Sequence, residues 1–120
     1  MRRQAGFPTI VTCGLLVAFS GLTYSNSATA LDVNVEAAKT LARQSNCFKC
    51  HAVSKEKEGP AWHDVAVKMK DKPGAEARLT THITSGEKAK FPDGHEEEHP
   101  IVKTKDKAAI KNLVDWILSL

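Results

Sequence analysis

Cys47-Phe48-Lys49-Cys50-His51 has the spacing C-x-x-C-H. Two thiols three residues apart on one turn can form thioether bonds to the two vinyl groups of a haem. The histidine that follows lies beneath the iron, where its imidazole can donate a nitrogen to the metal. The motif therefore implies one covalently held haem c, with Cys47 and Cys50 as attachment points and His51 as proximal iron ligand. A cysteine pair in an oxidising compartment also fits a disulfide or a redox-active dithiol. His51 and the lack of any βαβ pattern argue against both.

The compartment is read from the other end of the chain. Arg2 and Arg3 precede an apolar run from Ile10 to Phe19, and Ala28-Thr29-Ala30 is a small-residue cleavage site. Residues 1–30 thus read as a cleaved signal peptide, too short and wrongly flanked for a membrane anchor. Cys13 lies inside the apolar run without the small residues that a lipid-attachment site needs, and it leaves with the run. Export predicts a periplasmic protein without stable membrane insertion. The mature domain is residues 31–120, 90 residues in length. All 14 acidic residues follow Ala30 while two of the 17 basic ones precede it, which leaves a net charge of +1. That balance does not favour nucleic acid. A chain this short buries little apolar surface, and a covalent haem would brace it.

Glycine and proline positions divide the domain into four helices. The first runs from about Asn34 to Gln44, with Asn34 as N-cap and Val35, Ala38, Leu41 and Ala42 on one face. A second follows Gly59-Pro60, at about 61–70, with Trp62, Val65, Ala66 and Met69 at helical spacing. The third, about 75–84, ends at Gly86. The fourth, about 106–118, turns Ile110, Leu113, Val114, Trp116 and Ile117 inward. Residues 85–104 read as loop, and a loop of that length in a compact domain is usually functional or disordered. With no convincing strand, the class is all-α.

Over Ala37 to Leu120 the chain resembles a small bacterial class I cytochrome c. The likeness is carried by the attachment motif, by Gly59-Pro60-Ala61-Trp62, by Gly74-Ala75-Glu76-Ala77 with Ser85-Gly86, and by Leu113-Val114-Asp115-Trp116-Ile117-Leu118. It implies three to four helices wrapped around one covalently bound haem, with the first and last helices crossing at Ala38, Ala42 and Trp116. It also implies a hydrogen bond from the His51 ring to the Pro60 carbonyl, haem-pocket roles for Trp62 and Phe91, and a place for His82 near a haem propionate.

The sequence departs from that family at the sixth ligand. Relatives supply a methionine, often followed by proline, before the last helix. Here the loop reads Gly94-His95-Glu96-Glu97-Glu98-His99-Pro100, and counting back from Trp116 puts His99-Pro100 at that position. His99 becomes the distal iron ligand, with His95, Met69 or water as alternatives. Exchange of thioether for imidazole lowers the reduction potential. The resulting expectation is a monomeric one-electron carrier, not an enzyme, that works between periplasmic redox proteins. Lys49, Lys55, Lys57, Lys88, Lys90, Lys103 and Lys105 would form a basic rim for an acidic partner. The competing expectation is a labile distal site that binds nitric oxide, carbon monoxide or oxygen, or has weak peroxidase activity.

Two zinc readings compete for the same residues. His95-Glu96-Glu97-Glu98-His99 matches H-E-x-x-H, which needs a regular helix to work as a protease site. Cys47, Cys50, His95 and His99 match a Cys₂His₂ set, but with too long a gap between the pairs.

Overall fold

A computed structural model describes residues 32–120. The signal-peptide reading of residues 1–30 and Cys13 lie outside the described residues. The four helices are α1 (Val35–Gln44), α2 (Trp62–Met69), α3 (Ala75–Ser85) and α4 (Lys107–Leu118), and one 3₁₀ turn covers Cys47–Lys49. Each lies within two residues of the span expected from the sequence.

Helix α1 starts where the Asn34 side chain accepts a hydrogen bond from the Ala37 amide, which satisfies one of the free N–H groups of the first turn. Asp106 does the same for α4 by accepting from Ala108 and Ala109. Ala38 and Ala42 are fully buried where α1 packs on α4. Their lack of side-chain bulk lets Leu113, Trp116 and Ile117 close over the crossing. Two hydrogen bonds lock it. The Asn34 amide donates to Asn112 Oδ1 at 2.8 Å, and Asn112 Nδ2 donates to the Asn34 carbonyl at 2.8 Å. One side-chain amide thus pairs with a backbone unit 78 residues away.

After α1 the chain turns at Asn46, whose φ is 59°, a left-handed conformation that asparagine tolerates better than most residues. That turn delivers the 3₁₀ segment carrying Cys47. The stretch 51–61 then folds back on itself: Gly59 donates to the Cys50 carbonyl at 2.7 Å, and the Ala52 and Val53 carbonyls accept from Trp62 and His63. Helix α2 has no side-chain cap, and these loop carbonyls satisfy its first amides in place of one.

Residues 85–104 correct the sequence-based expectation of a loop without strands. Gly86, at φ 70°, ends α3. The chain then forms an antiparallel hairpin of β1 (Lys88–Lys90) and β2 (Glu96–Glu98). Lys88 stands opposite Glu98 and Lys90 opposite Glu96, and opposite charges across a pair favour the ladder. Gly94, at φ 92°, donates to the Phe91 carbonyl to close the turn. Lysines and glutamates have low strand propensity, which hid these short strands from a reading by hydrophobic alternation. Beyond the hairpin, Val102 is buried and donates to the Ile83 carbonyl, and Lys103 donates to the buried Ser45 hydroxyl. These bonds fix the C-terminal end of the segment that carries His99, and the His99 amide donates to the Glu87 carbonyl.

Candidate haem centre

Cys47 opens the 3₁₀ turn and Cys50 caps its C-terminal end, both partly buried. Burial raises the Cys47 thiol above its ordinary pKa. Burial and then a hydrogen bond to Glu58, at 3.3 Å, do the same for Cys50.

The His51 amide donates to the Cys47 carbonyl, which swings the imidazole to the side of the motif facing Trp62. His51 Nδ1 lies 2.8 Å from the Pro60 carbonyl. A carbonyl only accepts, so Nδ1 carries the proton and Nε2 keeps a free lone pair. Burial lowers the pKa of the ring, against the pull of the Pro60 bond, and a neutral imidazole is the form that binds a metal. Trp62, 4% exposed, stacks on His51 with centroids 5.7 Å apart and meets Trp116 edge-on at 5.3 Å. Phe48 completes that wall from 5.0 Å.

The His99 ring lies opposite His51, with centroids 6.2 Å apart and planes at 47°. It is half-buried, and no side-chain hydrogen bond engages it among the described residues. Its Nδ1 is wholly buried without a hydrogen bond of normal geometry, although the Pro100 backbone acts on the ring and raises its pKa slightly. Burial, followed by the fields of His82 and His51, lowers its pKa to about 4. His82 packs against His99 with centroids 4.1 Å apart and planes at 42°, and its Nδ1 lies 2.6 Å from Glu87 Oε1. Arg78 Nη1 reaches the same oxygen at 2.6 Å. The bond to His82, and then that to Arg78, hold the Glu87 carboxyl below its usual pKa.

His51, His99, His82, Pro60 and Trp62 are thus brought together. His95 and Phe91 are not. His95 is exposed at the hairpin end, hydrogen-bonded to Asp93 and stacked on Phe91 at 4.4 Å. Met69 is half-buried on α2, outside the main apolar cluster. The H-E-x-x-H string runs along β2 rather than a helix, and no three His, Cys, Asp or Glu side chains converge on a metal position among the described residues. Neither zinc reading has its geometry. Sequence reasoning missed Arg78 and Glu87, which carry no motif, and the close approach of Gly59 to the His51 ring.

Two imidazoles on opposite sides of one metal, with bonds of about 2 Å and a ring radius of about 1.1 Å, have centroids about 6 Å apart. The His51–His99 spacing fits that arrangement. The attachment thiols, the neutral imidazoles and the aromatic wall fit a haem.

Comparison with known proteins agrees. The sequence model described as Cytochrome c matches residues 35–120. The chain belongs to the cytochrome c family. Cytochrome c-552 of Nitrosomonas europaea is 36% identical over 98 residues, 82% of this chain and 92% of that protein. Cytochrome c-551 of Allochromatium vinosum is 34% identical over 87% of this chain and 100% of its own length. Among solved structures, the class 1 cytochrome MtoD from Sideroxydans lithotrophicus ES-1 superposes with a TM-score of 0.70 at 64% identity, covering 73% of this chain and 97% of that one. Wild-type Nitrosomonas europaea cytochrome c552 superposes at 0.56 with 34% identity, over 68% of this chain and 98% of its own. This cytochrome therefore has the class I fold and carries one covalent haem c with its iron, for which Cys47, Cys50 and His51 form the C-x-x-C-H site.

Proposed function

We propose that this cytochrome is a periplasmic one-electron carrier whose iron is held by His51 on one side and His99 on the other. The observation that carries this reading is the 6.2 Å separation of the two rings. The bound haem supplies a one-electron iron couple. The protein supplies the rest. The Pro60 carbonyl fixes the tautomer and plane of His51, which makes it a better ligand. Trp62, Phe48 and Trp116 exclude water from that side. His99, which follows the hairpin and is held neutral by its burial, would be the second iron ligand, at the position that the resemblance gives to methionine. Two strong ligands in both oxidation states require little movement on electron transfer, which suits a carrier with no substrate to transform.

Residues 1–30 act as the export signal, and residues 31–120 work as a monomeric domain. No helix among the described residues is long and apolar enough to cross a membrane. The donor and acceptor are other periplasmic redox proteins. Lys49, Lys55, Lys57, Lys88, Lys90, Lys103 and Lys105 are all exposed and form the rim that meets an acidic partner face. A second reading, a haem protein whose distal position opens to small gases, draws on the unpartnered Nδ1 of His99.

Optical and paramagnetic resonance spectra of the holoprotein separate the two. A low-spin bis-imidazole signature that carbon monoxide leaves unchanged in the reduced state is expected. A high-spin band, or rapid carbon monoxide binding, overturns the carrier reading. A His99→Ala variant with an unchanged spectrum overturns the ligand assignment.

A further inference from the structure

The two imidazoles are held by different means. His51 has its Nδ1–H on the Pro60 carbonyl at 2.8 Å, the kind of outer bond that normally orients a ligating histidine. His99 has no such bond, for its Nδ1 is buried without a partner. Its backbone is placed by the 2.9 Å hydrogen bond from the His99 amide to the Glu87 carbonyl. That bond fixes where the side chain starts, but not how the ring turns. The aromatic ring packed against it is His82, 4.1 Å away centroid to centroid with the planes tilted at 42°. His82 is itself pinned by the Glu87 carboxylate at 2.6 Å, and Arg78 pins that carboxylate at 2.6 Å from the outside.

We infer that Glu87 is the positioning residue for the distal imidazole: its carbonyl sets the His99 backbone and its carboxylate, through His82, sets the plane of the His99 ring. This rests on His99 being the sixth ligand. The carboxylate makes no hydrogen bond to His99; its hydrogen-bonded route to that ring runs through His82, beside a weaker direct field. Arg78 adds a second donor to Glu87 Oε1 and reduces the freedom of the carboxylate to turn toward solvent. The chain segment supports the arrangement. Glu87 lies between the α3 terminus, where Gly86 takes a left-handed φ of 70°, and β1. One residue thus reaches back to His82 on α3 and across to His99 after β2.

A neighbouring ring anchored by a charge-assisted bond resists rotation more than an unanchored one does. Removal of the carboxylate leaves the His82 ring free to turn about its own side-chain bonds. His99 then loses the surface that holds its plane, and it leaves the metal more readily.

The test uses holoprotein carrying Glu87→Ala, Glu87→Gln, His82→Phe and the Glu87→Ala/His82→Phe pair. Two signals are read: the g-values of the oxidised form, which report the relative planes of the two imidazoles, and the rate of carbon monoxide binding to the reduced form. Loss of a hydrogen bond to a charged group predicts about tenfold faster carbon monoxide binding in Glu87→Ala, with shifted g-values. Glu87→Gln still offers His82 an acceptor and should stay near wild type. In the His82→Phe background, Glu87→Ala should add almost nothing, because the group it acts through is gone. His82→Phe and Glu87→Gln also provide a reading should Glu87→Ala fail to take up haem. Unchanged g-values and carbon monoxide rate in Glu87→Ala overturn the inference, as do full additivity in the pair or a Glu87→Gln as impaired as Glu87→Ala. Wild-type spectra without bis-imidazole features overturn the ligand reading as well. With bis-imidazole wild-type spectra, the other negative results remove the Glu87 role alone.

Discussion

Gly59 backs directly onto the ring of His51. A Cβ on Gly59 would lie 2.5 Å from His51 Cε1 and 2.8 Å from Nδ1, closer than carbon atoms approach in folded proteins. Gly59 also donates to the Cys50 carbonyl at 2.7 Å, so the backbone cannot easily retreat. The glycine is needed here for clearance, which lets the loop lie flat against the imidazole while the Pro60 carbonyl accepts the hydrogen bond from Nδ1–H.

Gly59→Ala should therefore push the His51 ring off the Pro60 carbonyl. The expected cost is about 1–3 kcal/mol, as for other overpacked sites. Thermal unfolding of the holoprotein measures it. The resonances of the His51 ring should move with it, whereas Gly74→Ala, where nothing lies within 4 Å of the added carbon, should leave those resonances in place.

The α1–α4 crossing gives a second prediction. Asn112 replaces a missing strand partner for the backbone of Asn34, accepting from its N–H and donating to its carbonyl, each at 2.8 Å. Asn112→Ala loses both bonds at the end of α1, where Asn34 is also the cap. Two net hydrogen bonds amount to about 1–3 kcal/mol. Denaturant unfolding should show that loss with an unchanged m-value, since the surface exposed on unfolding is the same. Asn112→Asp should recover part of it, because the acceptor for the Asn34 amide remains.

How much of this was legible in the sequence depends on the kind of signal. Helices α1 and α4 were legible because their apolar residues recur at helical spacing and because Asn34 and Asp106 are good caps. Cys47, Cys50 and His51 were legible because thioether attachment demands one spacing. The hairpin was not legible, because Lys88–Lys90 and Glu96–Glu98 have no apolar alternation and pair by charge across the ladder. Glu87 and Arg78 were not legible either. Their role comes from His82 and His99 meeting in space, and no local pattern records that meeting. Asn112 looked like an ordinary polar residue on α4, since its partner is 78 positions away.

The turn of that hairpin should respond to pH. His95 is hydrogen-bonded to Asp93, and that bond raises the His95 pKa while it lowers that of Asp93. A raised histidine contributes stability that is fully present below its unfolded pKa and is lost as pH rises through the folded value. A lowered aspartate contributes stability present above its unfolded pKa and lost as pH falls through the folded value. The pair therefore stabilises the turn most between the ordinary values of about 3.9 and 6.5. Hydrogen exchange of the Gly94 and His95 amides, corrected for intrinsic rates, should show greatest protection in that window and a decline at higher pH. In Asp93→Asn the decline should shrink, the remainder coming from Glu97, 3.3 Å from His95 Nε2. Both groups are exposed, so the effect is local and should leave global unfolding almost unchanged.

The last prediction concerns the potential. The proposed His99 ligand stands where the resemblance to class I cytochromes c puts a methionine, and thioether ligation favours the reduced iron more than imidazole does. His99→Met should therefore raise the midpoint potential, on the order of 0.1 V within the wide range that axial ligands set. The exchange is favourable for packing, since methionine is flexible and fills irregular space. It also removes the buried, unpartnered Nδ1, and an unsatisfied polar atom of that kind costs about 1–3 kcal/mol. The variant should accordingly be no less stable than wild type in thermal unfolding, and its spectrum should gain the weak near-infrared band of a sulfur–iron bond. A potential that stays put while the sulfur band appears would mean that ligand identity does not set it here, and that the charges of the hairpin, with Glu96, Glu97 and Glu98 all exposed beside His99, outweigh the ligand.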